Sequence, residues 1–196
     1  MIFLRAPQRG AVKRRLAREV GAQAAHAFYA GTARGLIRRL DAPRRWRLVL
    51  AVTPDRLAGA RFWPAAVPRI AQGSGDLGAR MGRVFERLRP GPVVIVGSDI
   101  PAIAPEHIAD AFATLARHEA VFGPAADGGY WLIGLARRRL APEALARRLF
   151  RGVRWSSRHA LADTRANLPK GAEGPPAATL EDVDSAASLR RARDAT

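Results

Sequence analysis

Cysteine is absent from this sequence of 196 residues, which excludes disulfide frameworks, zinc–thiolate sites and thiol catalysis. Histidine is scarce: His26, His107, His118 and His159 show no metal-ligand spacing, and His107 and His118 read as helix-surface residues. No apolar run approaches the roughly 18 residues of a membrane span. The Met1 to Arg5 segment, ended by Pro7 and Gly10, is too short for a signal peptide. The expectation is a cytoplasmic protein with no membrane span. Acids are the minority charge, 17 against 33 Lys and Arg, for a formal charge of +16. That charge alone points to a polyanion such as nucleic acid, and a non-catalytic polyanion-binding protein would show steep salt dependence. The basic residues are nearly all Arg, however, and are scattered: Arg14, Arg15, Arg18, Arg38, Arg39, Arg44, Arg45, Arg137 to Arg139, Arg147 and Arg148, often beside Ala. This reads as the codon preference of a high-GC genome rather than as one basic stripe. Solvated helix faces are therefore expected, and a nucleic-acid partner is disfavoured.

What is present is an ordinary globular composition, 48% apolar and 26% charged. The length lies below the roughly 250 residues at which one core stops growing, so residues 1–196 are expected to form a single domain with one site. Ile2 to Leu4 reads as a first strand followed by a loop that turns basic. From Arg14 to Leu40 the spacing of Leu16, Val20, Ala24, Ala27, Phe28, Leu36 and Leu40 is helical, with a break expected near Gly31. Arg47 to Val52 reads as a strand and Pro68 to Ala71 as a weak one. Met81, Val84, Phe85 and Leu88 mark a helix that Asp76 could cap. Pro92 to Val96 is a β-branched run of the kind buried on both faces of a parallel sheet. Pro105 opens a helix, Ala120 to Phe122 and Tyr130 to Leu135 resume strand character, 142–168 look helical in pieces, Pro169 to Pro176 is a loop, and Asp184 to Arg193 is a terminal helix. Strands alternating with long helices predict an α/β fold wound by right-handed crossovers.

Four constellations carry candidate chemistry. Gly97-Ser98-Asp99-Ile100-Pro101 follows a buried strand, where open α/β sheets bind ligands. Asp99 there serves either as an acid for a metal-bound diphosphate or as a turn cap before Pro101, and the local sequence does not choose. Asp127-Gly128-Gly129 permits close backbone approach to a substrate, yet reads first as a tight turn between strands. Asp184 or Ser185 reads first as the cap of the last helix, with Asp184 as a metal ligand the alternative. The loop Arg5-Ala6-Pro7-Gln8-Arg9-Gly10-Ala11-Val12-Lys13-Arg14-Arg15-Leu16 is a candidate phosphate cradle, although it is neither a Walker loop nor a Rossmann fingerprint.

In order, these pieces resemble a bacterial family of glycosyltransferase-A-like transferases of the nucleotide-diphospho-sugar transferase superfamily, associated with radical-SAM or selenoprotein-domain genes. The resemblance runs through the Arg5 to Leu16 loop, Gln72 to Met81, Gly97 to Pro101, Gly123 to Tyr130, Leu149 to Trp155 and Asp182 to Asp184. It implies a three-layer α/β sandwich with a mostly parallel mixed sheet. It also implies a metal-dependent transferase using a nucleotide-sugar or nucleoside triphosphate donor and a small-molecule acceptor. Nucleotide-sugar glycosyl transfer leads, and nucleotidyl transfer to a phosphorylated acceptor is the alternative. By this resemblance Asp99 and Asp184 hold Mg²⁺ or Mn²⁺, with Asp99 also catalytic, and Asp127 lies on the acceptor or donor-sugar side, where it is the candidate acceptor base. Pro7, Gly10, Lys13 and Arg15 serve the phosphates. Gln72, Gly75, Asp76, Leu77 and Arg80 serve the nucleotide, while Gly128, Gly129, Tyr130 and Trp155 lie on the acceptor or sugar side. A homodimer is left open. Arg5 and Arg14 replace the usual Lys and Thr, and a planar guanidinium is not equivalent to an ammonium point charge at a phosphate.

Overall fold

A computed structural model describes residues 1–138 and 147–194. Its sheet has six strands: β1 (Ile2–Arg5), β2 (Leu50–Thr53), β3 (Arg69–Ala71), β4 (Val93–Val96), β5 (Ala120–Pro124) and β6 (Tyr130–Leu135). They lie in the order β3-β2-β1-β4-β6-β5. The first four are parallel to one another, and β6 runs antiparallel to both β4 and β5. The expected mostly parallel mixed sheet is therefore present.

Strand periodicity sorts side chains to the two faces. Ile2, Leu4, Leu50, Val52, Val94, Val96 and Leu132 pack with Leu36 and Ile37 of α2 (Ala22–Leu40) and Ile108, Ala111 and Leu115 of α4 (Pro105–Leu115). Phe3, Ala51, Ile95, Phe122 and Ile133 point the other way, onto Met81, Val84 and Phe85 of α3 (Leu77–Arg87) and Leu161 of α5 (Ala160–Ala166). Helix, sheet and helix form three layers. A satellite cluster joins Leu16 of α1 (Arg14–Val20), Ala25, Val183 and Leu189 of α6 (Ala186–Asp194).

Several boundaries differ from the sequence expectation. The break in the first helical stretch falls at Gly21, whose φ of 86° and ψ of 150° no helix accommodates, whereas Gly31 continues inside α2. A right-handed helical glycine costs only about 1 kcal/mol relative to Ala. The second strand begins at Leu50 rather than Arg47 because its ladder starts where Ile2 pairs with Leu50. The last helix begins at Ala186, with Ser185 Oγ accepting the Ser188 N–H as its cap. The helical expectation for 142–146, and the charge expected at Arg139, lie outside the described residues.

Two arginines expected on solvated surfaces are structural. Arg137, with φ of 57° and 8% exposure, donates to the carbonyls of Phe85, Leu88, Arg89 and Gly91, closing the end of α3. Arg39 donates to the carbonyls of Pro101 and Ile103. His107 also departs from a surface role: its Nδ1 accepts the Ala104 N–H at the start of α4, and its ring meets Trp131 edge-on.

Gly123 tests the packing of the β5–β6 edge. A Cβ there would sit 2.6 Å from the Trp131 ring and 2.9 Å from Leu132 Cβ. Gly123→Ala is expected to destabilise by about 1–3 kcal/mol through overpacking, read as a lower urea midpoint at unchanged slope.

Candidate functional site

The parallel strands β1, β2 and β4 end at one rim of the sheet, and a cleft of about 710 Å³ opens there. Its walls include Lys13 and Arg15 from the first loop and α1, Gln72, Leu77 and Arg80 around the start of α3, Ser98 and Asp99 beyond β4, and Asp184 before α6. Residues far apart in sequence thus meet at one place.

The centre is an ion cluster. Asp99, Asp182 and Asp184 each present a carboxylate oxygen within 4.8 Å of the others. Lys13 Nζ lies 2.9 Å from Asp99 Oδ2, 2.6 Å from Asp184 Oδ1 and 4.0 Å from Asp182 Oδ2, and its side chain is only 5% exposed. Burial alone would depress the Lys13 pKa, but the Asp99 and Asp184 carboxylates overcome that effect and hold it above the ordinary lysine value. Burial would likewise raise Asp184, yet the hydrogen bond from Lys13 brings it below the usual carboxylate range. Asp182 is pushed up to about 6 by burial and by the neighbouring Asp184 charge, against the pull of Lys13.

Local structure explains the convergence. Val183 is buried with Leu16 and Leu189, and its N–H reaches the Asp99 carbonyl at 3.4 Å. Successive side chains of an extended segment point to opposite sides, so burying Val183 presents Asp182 and Asp184 together. Ser185 takes the helix cap, which leaves Asp184 for the cluster. Lys13 has left-handed backbone angles, φ 47° and ψ 51°, immediately before α1. On the floor, the Tyr29 hydroxyl donates to the Arg5 carbonyl, accepts the Arg5 N–H and meets Ser98 Oγ at 3.1 Å. It pins the loop after β4 to the end of β1.

The other candidate residues divide between cleft and scaffold. Leu77 lines the cleft with 40% of its surface exposed. Arg15 is 80% exposed and its guanidinium lies 4.0 Å from Asp184. Arg80 also lines the cleft and donates to the Gly75 carbonyl. Gln72 is buried, its amide donating to the carbonyls of Leu4 and Ala51, so that side chain clamps β1 to β2. Asp76 caps α3 by accepting the Ala79 N–H. Gly75, at φ 96°, belongs to a loop whose Gln72 and Ser74 carbonyls are held by Arg83. Pro7 and Gly10 stand in the first loop outside the cleft walls; the Pro7 carbonyl meets His26, and Gly10 takes φ of 74°.

Asp127, Gly128, Gly129, Tyr130 and Trp155 also lie outside those walls. Asp127 Oδ1 accepts the Gly129 N–H in an exposed hairpin turn, and Gly128 at φ 87° packs on the Arg158 backbone, where a Cβ would stand 2.4 Å from its carbonyl oxygen. Tyr130 and Trp155 form an aromatic cluster with Phe122 and Phe150, with the Tyr130 hydroxyl buried.

Sequence reasoning singled out Asp184 but not its partner Asp182, although alternation about Val183 was the available signal. It also passed over Tyr29. Lys13 carried a compositional signal: it is one of two lysines in a chain that otherwise uses Arg. A second groove of about 670 Å³ opens where the segment before β2, β3 and α4 meet residues between Arg87 and Val94, but it is lined by Trp46, Phe112, Ile70 and four arginines without an acid. The carboxylate chemistry is in the first cleft.

The Asp182 shift has a pH signature. Because its folded pKa of about 6 exceeds the ordinary 3.8, between those values the folded protein holds a proton that the unfolded chain has released, and stability falls as pH rises through that window. In metal-free, chelator-containing buffer, Asp182→Asn is expected to unfold at a higher temperature than wild type at pH 7, with the gap narrowing toward about pH 4. Parallel curves across this range would contradict the assignment.

Comparison with known proteins agrees with the architecture. Among functionally curated proteins none matches the sequence. A protein from Desulfovibrio desulfuricans G20, provisionally described as a nucleotide-diphospho-sugar transferase, is 27% identical with a TM-score of 0.79, covering 94% of this chain and 80% of its own. Two further structures share the fold. The CMP:2-keto-3-deoxy-manno-octonic acid synthetase complexed with CTP has a TM-score of 0.62 at 14% identity, covering 99% and 95% of the two chains. The manganese complex of Rv0371C from Mycobacterium tuberculosis H37Rv has a TM-score of 0.50 at 17% identity, covering 100% and 97%. A family model matches residues 36–157, spanning Gln72, Asp99 and Asp127, and the chain accordingly belongs to the family described as uncharacterized protein conserved in bacteria (DUF2064), with a nucleotide-diphospho-sugar transferase-like fold.

Proposed function

We propose that the protein is a metal-dependent transferase that takes a nucleotide-activated donor, with glycosyl transfer from a nucleotide sugar as the leading reaction. The observation that carries this reading is the convergence of Asp99, Asp182 and Asp184 on one point of a cleft at the carboxyl ends of the parallel strands. Open α/β sheets bind ligands at that rim. The donor set fits a hard divalent cation: all ligands are carboxylate oxygens, and Mg²⁺ commonly takes one or two carboxylates plus phosphates and waters. Asp99 and Asp184 would hold Mg²⁺ or Mn²⁺, with Asp182 beside them. The metal, when bound, would neutralise charge developing on a diphosphate leaving group.

The chain's own residues would supply the rest. Lys13 and Arg15 stand where cationic side chains can stabilise phosphate oxygens through charge-assisted hydrogen bonds. Leu77 offers an exposed apolar surface beside Arg80 for the nucleoside. The exposed Asp127 carboxylate on the β5–β6 hairpin is the proposed acceptor base, with Gly128 and Gly129 shaping that turn. The comparisons support the reading: the Desulfovibrio protein is described as using a nucleotide-diphospho-sugar, and the manganese-bound mycobacterial protein shares the fold.

The test is thermal unfolding against nucleoside diphosphates, triphosphates and nucleotide sugars, with and without Mn²⁺. Ligand at about 100 times its Kd adds roughly 2.7 kcal/mol of stability. A metal-dependent rise with a nucleotide is expected in wild type and its loss in Asp99→Asn; a folded wild type that responds to none of these ligands would remove the reading. The product then assigns the reaction, since nucleoside diphosphate release means glycosyl transfer and pyrophosphate release means nucleotidyl transfer. In the same assay, Asp127→Asn is expected to lower turnover while leaving nucleotide binding intact. Unchanged turnover would eliminate Asp127 as the base.

A further inference from the structure

The Lys13 ammonium lies where a divalent cation bound by the triad would have to sit. A lysine ammonium has three N–H donors and no acceptor, and here hydrogen bonds at 2.9 Å and 2.6 Å join it to Asp99 and Asp184, with Asp182 4.0 Å away. Divalent ions of this class bind carboxylate oxygens at roughly 2.0–2.6 Å. An ion held by these same oxygens would overlap the nitrogen and repel its charge. The side chain is only 5% exposed and leaves a left-handed backbone position, so the ammonium is held in the cluster by its carboxylate partners rather than resting there as a surface tether.

We propose that Lys13 is a built-in placeholder cation, filling the Asp99–Asp182–Asp184 triad until an incoming diphosphate withdraws it, so that divalent metal and diphosphate bind as a coupled pair. This rests on the donor reading above and adds an order of events to it. Metal entering alone must expel an ammonium into a cleft that supplies it with no other carboxylate among the lining residues. A diphosphate supplies the missing anion, relieving the competition in the triad. Coupling is reciprocal, so metal must strengthen diphosphate binding by the same factor that diphosphate strengthens metal binding.

The measurement is Mn²⁺ affinity by electron paramagnetic resonance for wild type and Lys13→Gln, alone and with each of the four common ribonucleoside diphosphates, corrected for metal bound by free nucleotide. Wild type is expected to bind Mn²⁺ weakly alone and about tenfold or more tightly with the diphosphate it accepts, within the usual range of site–site coupling. Lys13→Gln is expected to bind Mn²⁺ alone about tenfold more tightly than wild type, with little further gain from diphosphate. Equal affinities of the two proteins for Mn²⁺ alone would overturn the placeholder while leaving the metal site standing. Absence of Mn²⁺ binding by either protein under every condition would overturn both readings.

A second measurement keeps the test independent of the variant's folding. With two lysines in the chain, the Nζ resonance of Lys13 in ¹⁵N-lysine-labelled wild type is assigned by comparison with Lys170→Arg. Mg²⁺ and diphosphate together are expected to shift it. Mg²⁺ occupying the triad with that resonance unmoved would contradict displacement of the ammonium.

Discussion

Three carboxylates within 4.8 Å of one another repel unless a cation stands between them, and in this chain Lys13 supplies that cation. The contact ties the first loop to the end of β4 and to the segment before α6, spanning 171 residues between Lys13 and Asp184. Breaking a buried ion pair by removing one partner is far more costly than never having built it, because the remaining charge is stranded. The surrounding structure serves this convergence: Val183 is buried against α1 and α6, Ser185 takes over helix capping, and Tyr29 secures the loop that carries Asp99.

The same economy of polar groups appears away from the cleft. Arg137, Arg39 and Arg83 each aim a guanidinium at loop or helix-end carbonyls. A planar fork of donors suits such clustered acceptors better than a lysine does. This is a third use for arginine, beside solvated surface and polyanion binding, and it accounts for part of the basic excess without any nucleic acid.

The strands were legible because a buried parallel sheet demands apolar runs, and Val93 to Val96 could serve little else. Their ends were not, since a strand stops where its neighbour stops offering hydrogen bonds, as Ile2 does for Leu50. Helix breaks also needed backbone angles: Gly21 and Gly31 look alike in sequence, yet only Gly21 takes a positive φ. Family resemblance singled out Asp99 and Asp184 as an expected metal pair. The geometry then brought in Asp182 and placed Lys13 among the carboxylates, a relation between distant segments that local spacing cannot encode. Gln72 adds a role that spacing does not show: it lines the cleft, yet its amide nitrogen also donates to the backbone of β1 and β2 while its amide oxygen faces Arg80.

The formal charge of +16 bears on the proposed order of binding at the site. A strongly basic protein attracts anions over a Debye length of about 8 Å and beyond at low salt, and repels free divalent cations by the same field. A lone metal ion approaching the triad therefore meets two positive obstacles, the global field and the local ammonium. A metal–nucleotide complex carries net negative charge, so the field favours its approach. Its phosphate oxygens can also accept the Lys13 donors. The scattered arginines thus contribute without forming a dedicated surface, because long-range potential depends on summed charge rather than on its arrangement into a stripe. An acidic triad inside a basic chain is consistent with the proposed order: the charge of the whole would favour an anionic ligand, and the local acids would hold a cation arriving with it.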